Sequence, residues 1–245
     1  MWFVSIFKCS DMMENILEWD RQMMVALNLS GSHTVFGDYF MWMTTQIFIW
    51  VPVVLMLLYV VCKNKGREAI PVILMIIAVF VLCDQVSSSI MKPLVARPRP
   101  GHDPLVMDLL QYVHDYRGGA FGFPSSHAAN SFGFAMFSAL LFRYRWYSLV
   151  VFVWATLCAY TRLYLGVHFP LDILTGISLG LLFGGLCYFI YCHFWNNKKY
   201  QLSKHAIAST RTASGFEKSD LNRLLGVLLI VFFCIVFFAY KMTTV

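Results

Sequence analysis

Charge is what this chain lacks. Only 13% of its 245 residues are Asp, Glu, Lys or Arg, about half the share a soluble globule carries. Hydrophobic residues make up 59%. Several stretches of about 17 to 25 residues hold almost no charge, and each is long enough to cross a hydrocarbon core as a helix. Isolated strands are excluded there, because lipid offers no partner for open backbone groups. A disulfide or metal framework is missing as well. The seven cysteines (Cys9, Cys62, Cys83, Cys158, Cys187, Cys192 and Cys234) form no C-x-x-C pair. Most lie in apolar stretches and read as small buried hydrophobes. There is no long basic patch either. The net charge of +6 is spread over short connections, as topology determinants are, so nucleic acid is not an expected partner. The apolar run before Lys8 is too short, and its charge order wrong, for a signal peptide.

What is present is a succession of apolar segments. Residues 11–29 read as an amphipathic helix lying along the membrane surface. Asp11 and Glu14 have capping-box spacing. Met12, Met13, Ile16, Trp19, Met23, Met24 and Leu27 share one side; Asp11, Glu14, Glu18, Arg21 and Gln22 share the other. Asp20 breaks the pattern by pointing into the apolar stripe. It either snorkels or caps a neighbour, or it pairs with an arginine in a buried position. Six spans follow at approximately 41–62, 69–90, 126–142, 146–163, 171–195 and 224–240. Trp42, Trp146 and Trp195 fall near span ends, where amphipathic rings prefer to sit. Gly176, Gly180 and Gly184 form a four-residue row suited to close helix packing within the chain. The expected fold is all-α: a six-span transmembrane bundle with an N-terminal interfacial helix. Its parts are an N-terminal segment 1–40, a five-span membrane core 41–195, a basic loop 196–223 and a last span in 224–245.

Orientation follows from lysine and arginine. Connections after spans one, three and five hold Lys63, Lys65, Arg67, Arg143, Arg145, Lys198, Lys199, Lys204, Arg211, Lys218 and Arg223, eleven of the nineteen. The positive-inside rule makes these cytoplasmic. The loops after spans two and four then face outward.

Three clusters fall on that outward side: Lys92 to Pro100, Pro124-Ser125-Ser126-His127, and Thr161-Arg162 through His168 to Asp172. Singly, each has a structural explanation, since basic residues at helix ends snorkel and lone histidines decorate interfaces. On one face they combine. Lys92, Arg99 and Arg162 are three cations, and guanidinium groups match phosphate oxygens. Pro124 signals a helix start, leaving the Ser126 and His127 N–H groups free to bind an anion, with the Ser125 hydroxyl as a further donor. His168 and Asp172 are four apart, so the carboxylate can hold one imidazole nitrogen and aim the other outward as a nucleophile. His127 can protonate a leaving oxygen and then deprotonate water. No carboxylate cluster suits Mg²⁺, so neither metal nor cofactor is required.

These clusters resemble the tripartite signature of the type 2 phosphatidic acid phosphatase superfamily, K-x6-R-P, P-S-G-H and S-R-x5-H-x3-D. Residues 92–100 match the first part fully; Ser126 replaces the glycine of the second, and Thr161 the serine of the third. The match spans roughly residues 40–195. The resemblance implies a metal-independent phosphatase working through a phosphohistidine. It implies His168 as nucleophile, Asp172 as its orienting partner and His127 as general acid and base. Lys92, Arg99, Ser125, Ser126 and Arg162 would bind phosphate. Both departures keep the needed groups: Ser126 its backbone N–H, Thr161 a hydroxyl.

Other residues have quieter readings. Asp84, inside span two, is expected to be satisfied by Ser87, Ser88 or a basic partner. Arg97 is expected to position its loop. His102, His114 and Arg117 lie in a loop whose segment 103–116 reads as a short amphipathic helix over the site, a lid or headgroup reader. His33, His193 and His205 have no partner at a recognisable spacing. The expected enzyme sits in a bacterial inner membrane, cuts a lipid phosphate on the outer side, and takes undecaprenyl diphosphate as its first-choice substrate. Lipid A, phosphatidylglycerophosphate and phosphatidic acid are alternatives. Rival readings are a vanadate haloperoxidase, which the apolar spans disfavour, and a transporter or lipid-binding scaffold, whose charges would be spread through the spans.

Overall fold

The computed structural model describes residues 2–28, 31–195 and 210–244, with side chains from residue 12 onward in the first stretch. Nine α-helices run in chain order among the described residues: α1 (Trp2–Asn28), α2 (Val35–Thr44), α3 (Val51–Lys65), α4 (Ala69–Asp84), α5 (Lys92–Val95), α6 (Ser126–Phe142), α7 (Arg145–Tyr164), α8 (Pro170–Phe194) and α9 (Lys218–Thr243). No strand is present among them, as the composition requires. Among the described residues, four stretches are long and apolar enough to cross a membrane: Ile47–Val95, Arg145–Tyr164, Pro170–Phe194 and Lys218–Thr243. The first is not a single rod. Gly66, at φ 56, ends α3, and a short 3₁₀ turn leads into α4.

The centre is α6, packed against α8, α7 and α4. The glycine row of α8 explains how close α6 and α8 come. A Cβ on Gly176, Gly180 or Gly184 would collide with the backbone oxygens of Ser125, Ala129 and Gly133 respectively. The row serves packing within the chain, as small residues do where helix backbones meet.

Two ends of the bundle carry the polar groups. At one end, Lys63 and Asn64 of α3 donate to the buried Asp220 of α9 at 2.8 and 3.0 Å. There too, Ser214 donates to the carbonyl of Phe142 at the end of α6. At the other end, the Ser125 N–H donates to the Asp172 carbonyl at 3.0 Å, joining the starts of α6 and α8. The Asn28 amide, at the end of α1, reaches the carbonyls of Leu163 and Tyr164 at 3.2 and 2.8 Å.

Several boundaries depart from the sequence reading. The first apolar span does not begin at 41, because α2 ends at Thr44 and helix resumes only at Ile47. Thr44 and Thr45 turn their hydroxyls back onto the carbonyls of Phe40 and Trp42, a competition with the helix ladder that favours a break. The helix expected at 11–29 starts at Trp2. Its protein-facing residues are Asp20, Met24 and Asn28, all buried, whereas Met12, Met13, Ile16 and Trp19 are exposed. Segment 103–116 is a series of turns rather than a helix. His33 is not idle. It packs on Tyr164 with ring centroids 4.0 Å apart and contacts Asp38 at 3.0 Å. His193 stacks on Phe189, and His205 lies outside the described residues. Cys83 and Cys187 are buried as expected, but Cys62 and Cys234 are exposed on the apolar exterior. Of the basic loop, 196–209 lies outside the described residues, and α9 begins at Lys218, earlier than 224.

Candidate active site

The carboxyl end of α4 sets the first wall. Its last turn widens into a π-helical stretch, Gln85–Met91, before Lys92 opens α5. Such widened turns often accompany functional positions. Here the stretch presents Ser88 and Lys92 to the start of α6. Lys92 Nζ donates to Ser126 Oγ at 2.8 Å, and Ser88 Oγ lies 2.8 Å from the same oxygen. Ser88 also donates to Asp84 Oδ1 at 3.2 Å, which satisfies Asp84 as expected.

The start of α6 supplies the second wall. Ser125 is its N-cap, accepting from the Ala128 N–H. Ser125 is fully buried and stands behind the cavity rather than in its lining, so its hydroxyl serves the helix first. His127 lies one position into the helix and is exposed toward the cavity. The third wall is the corner between α7 and α8, turned by Gly166 at φ 74. Arg162 is 4% exposed. Its Nε donates to Thr161 Oγ1 at 3.1 Å, a use for the hydroxyl that threonine keeps. Among the described residues, Arg162 Nη2 has no hydrogen-bond partner. A buried guanidinium nitrogen left open is costly unless a ligand satisfies it.

These walls enclose a cavity of about 210 Å³ lined by Asp84, Ser88, Lys92, Arg99, Tyr116, Ser126, His127, Arg162 and His168. Six of the eight candidate residues line it, and Asp172 and Ser125 support it from behind. His168 is 2% exposed. Its Nδ1 faces Asp172 Oδ2 at 3.3 Å, and that oxygen also accepts from the Phe169 N–H at 3.0 Å. Holding Nδ1 leaves Nε2 for the cavity. Burial pushes the imidazole down to about 4, against the upward pull of Asp172 and helped by Arg99 and Lys92. His168 is therefore neutral near pH 7, with a lone pair on one ring nitrogen. Arg99 is held from outside by the carbonyls of Phe121 and Val167 at 3.1 and 3.3 Å. Burial also lowers its proton affinity, without approaching neutrality for a guanidinium. No three metal-type ligands converge among the described residues.

Two residues of the site have contacts that the sequence did not assign to them. Tyr116 enters the lining from the loop before α6, and nothing in its local sequence marks it. Arg97 joins Asp172 Oδ1 at 2.9 Å to Asp20 Oδ2 at 2.6 Å. Its RPRP context placed it in the loop, but not its partners.

Residues 68–198 match the PAP2 superfamily. The chain belongs to that superfamily. It is 42% identical over 181 residues to the lipid A 4'-phosphatase of Bacteroides thetaiotaomicron, a match covering 73% of this chain and 80% of that one. The lipid A 4'-phosphatase of Porphyromonas gingivalis is 35% identical over 182 residues, 74% of this chain and 76% of its relative. The fold is also that of a solved transmembrane PAP2-type phosphatidylglycerolphosphate phosphatase from Bacillus subtilis, with a TM-score of 0.58 and 22% identity over 75% of this chain and 90% of the other. This PAP2 protein is thus a membrane lipid phosphatase, a metal-independent phosphoester hydrolase.

Proposed function

We propose that the chain removes the 4'-phosphate of lipid A or a closely related phosphorylated glycolipid, through a phosphohistidine on His168. One observation carries the chemistry. A buried, neutral imidazole held by a carboxylate faces a small cavity containing Lys92, Arg99 and Arg162, the last with a nitrogen unsatisfied. At about 210 Å³, the cavity is below the roughly 300 Å³ of a small-molecule pocket. It suits a phosphoryl group, with the rest of the lipid outside. The two curated relatives that share about three quarters of the chain support lipid A over undecaprenyl diphosphate, the substrate that the sequence alone put first.

In the proposed reaction the phosphoryl oxygens lie against Lys92, Arg99, Arg162 and the N–H groups at the start of α6. Charge spread onto those oxygens in the transition state is stabilised there by groups already in place. The Nε2 lone pair of His168 attacks phosphorus, and the bond from phosphorus to the lipid oxygen breaks. His127, protonated once the negative charge of the bound phosphate offsets the cations around it, gives that proton to the departing oxygen. Neutral His127 then takes a proton from water, whose oxygen attacks phosphorus and breaks the P–N bond, releasing phosphate. Asp172 keeps Nδ1 of His168 bound throughout, stabilising the positive ring of the intermediate.

The same reading takes the bundle as six spans, with α3 and α4 as separate crossings, in a bacterial inner membrane. The end rich in Lys63, Lys65, Arg143 and Arg223 faces the cytoplasm and the cavity faces outward. α1 lies along the outer surface, with Met12, Met13, Ile16 and Trp19 toward lipid. The test is phosphate release by detergent-solubilised protein in EDTA from lipid A, undecaprenyl diphosphate, phosphatidylglycerophosphate and phosphatidic acid. The expected result is turnover fastest on lipid A and lost in His168→Ala. Faster turnover on a non-glycolipid overturns the substrate; unchanged turnover in the variant overturns the mechanism.

A further inference from the structure

Asp172 divides its two oxygens between two tasks. Oδ2 serves His168 and the Phe169 N–H, while Oδ1 accepts from Arg97 Nη1 at 2.9 Å. The other end of the same guanidinium, Nη2, donates to Asp20 Oδ2 at 2.6 Å. Asp20 in turn accepts from the Leu171 N–H at 2.9 Å, at the first turn of α8. Both carboxylates are fully buried, and Arg97 is 14% exposed on its side chain. The guanidinium also lies over the Phe169 ring, 4.2 Å from its centroid. Asp20 belongs to α1, outside the residues that match the superfamily.

We propose that Asp20 and Arg97 are positioning residues for the nucleophile, a bridge by which the N-terminal helix fixes both the geometry and the basicity of the His168–Asp172 pair. The proposal rests on His168 being the nucleophile.

A buried carboxylate survives only when paired and hydrogen-bonded. One guanidinium here serves two, with its planar fork reaching both at once. If Asp172 alone held Arg97, its charge would be largely neutralised and its hold on the imidazole weakened. Asp20 takes the other half of the guanidinium, so Asp172 stays a strong acceptor for His168. The hydrogen bond to Leu171 places that compensation within the backbone turn bearing His168 and Asp172, so ring position and charge are set together. Partners behind a ligand or base matter in this way generally: they orient the ring and raise its basicity. Burial raises the proton affinity of Asp20, while Arg97 and the Leu171 N–H hold it down.

Among the described residues, His168 meets Asp172 from its own corner, Arg99 and Lys92 across the cavity, and His127 from α6, with Arg162 of α7 and Asp84 of α4 in the same lining. Asp20 meets Arg97 and Asp172. Removing the charge of Asp20 makes the surroundings of His168 more positive, so its proton is lost at lower pH.

The test uses the full chain in detergent with p-nitrophenyl phosphate, comparing wild type with Asp20→Asn, Asp20→Glu, Arg97→Lys and His168→Ala. Asp20→Asn should lower kcat about 10- to 100-fold with little change in KM. It should also move the acidic limb of the pH profile to lower pH by roughly half a unit. Arg97→Lys keeps the charge but loses the two-ended fork, and should also lower kcat. Asp20→Glu should restore part of the rate. A folded Asp20→Asn protein with wild-type kcat and acidic limb overturns the proposal. So does a fall in kcat with an unmoved limb and a lower melting temperature, which marks Asp20 as a structural clamp alone. If Asp20→Asn does not fold, Arg97→Lys decides, and wild-type kcat there overturns the bridge. Turnover surviving in His168→Ala instead removes the nucleophile assignment on which the bridge depends.

Discussion

Ser126 stands where the family pattern has glycine, and its hydroxyl is not idle: Lys92 donates to it at 2.8 Å. Ser126→Gly frees that ammonium and enlarges the cavity. The expected outcome is retained kcat with a changed KM, measured on lipid A and on a small phosphate ester. Loss of kcat would instead make the hydroxyl part of the chemistry. His127→Ala should lower the rate about 10²- to 10⁴-fold, and less for p-nitrophenyl phosphate, whose leaving group needs little protonation. Because burial holds the His168 imidazole down to about 4, kcat/KM should show no loss from His168 protonation above pH 6. It should fall as pH drops through about 4, where the proposed nucleophile gains a proton and loses its lone pair. At this scale the motif residues were legible, because chemistry fixes their type and spacing. Asp20 was legible as a misfit on an apolar stripe that could pair with a buried arginine, and the structure shows that pairing with Arg97, but neither which arginine nor the link to Leu171 could be read. Its partners lie 77 and 151 residues away along the chain, a separation no local pattern encodes. Tyr116 left no mark because a tyrosine near a membrane surface is unremarkable.

Helices place these groups, and their contacts set what the elements tolerate. α8 rests on α6 through backbone and glycine. Gly180→Leu drives a side chain into the Ala129 carbonyl and should cost about 1–3 kcal/mol, read as a lower melting temperature in detergent. An unchanged melting temperature would place the two helices farther apart than described. In the loop before α6, Gly118 sits at φ 71, and a Cβ there would fall 2.6 Å from Arg99 Nη1. Gly118→Ala should therefore displace Arg99 and, given its proposed phosphate-binding role, raise KM. The helices at 126–142, 145–164 and 170–194 follow closely from the apolar runs. The first span did not, since the break after Thr44 depends on threonine back-bonding and on the Trp50 indole donating to the Thr44 carbonyl at 2.9 Å. Segment 103–116 failed as a helix for a similar reason. Asp103 spends Oδ1 on the Leu105 N–H and Oδ2 on Arg21, which favours turns over a helical ladder.

Across the whole molecule, polar groups gather at two ends and apolar side chains cover the sides between them. Ile230 and Phe233 of α9 are 63% and 70% exposed, and Phe189 of α8 is 68% exposed, as surfaces facing acyl chains are. The proposed orientation puts Arg211 in the cytoplasm and Leu105 outside. A membrane-impermeant thiol reagent should label Leu105→Cys but not Arg211→Cys in intact cells, in a background freed of the native cysteines. The reverse pattern would invert the enzyme in its membrane. Activity should persist in EDTA, because attack and charge stabilisation are both assigned to side chains and backbone.

The most direct measurement is to quench a turnover of the solubilised protein in base and locate the phosphate by mass spectrometry. The account expects an acid-labile, base-stable phosphate on the peptide containing His168, absent from His168→Ala and accumulating in His127→Ala with an activated ester. Phosphate on any other residue, or turnover with no phosphoenzyme in either protein, would contradict it.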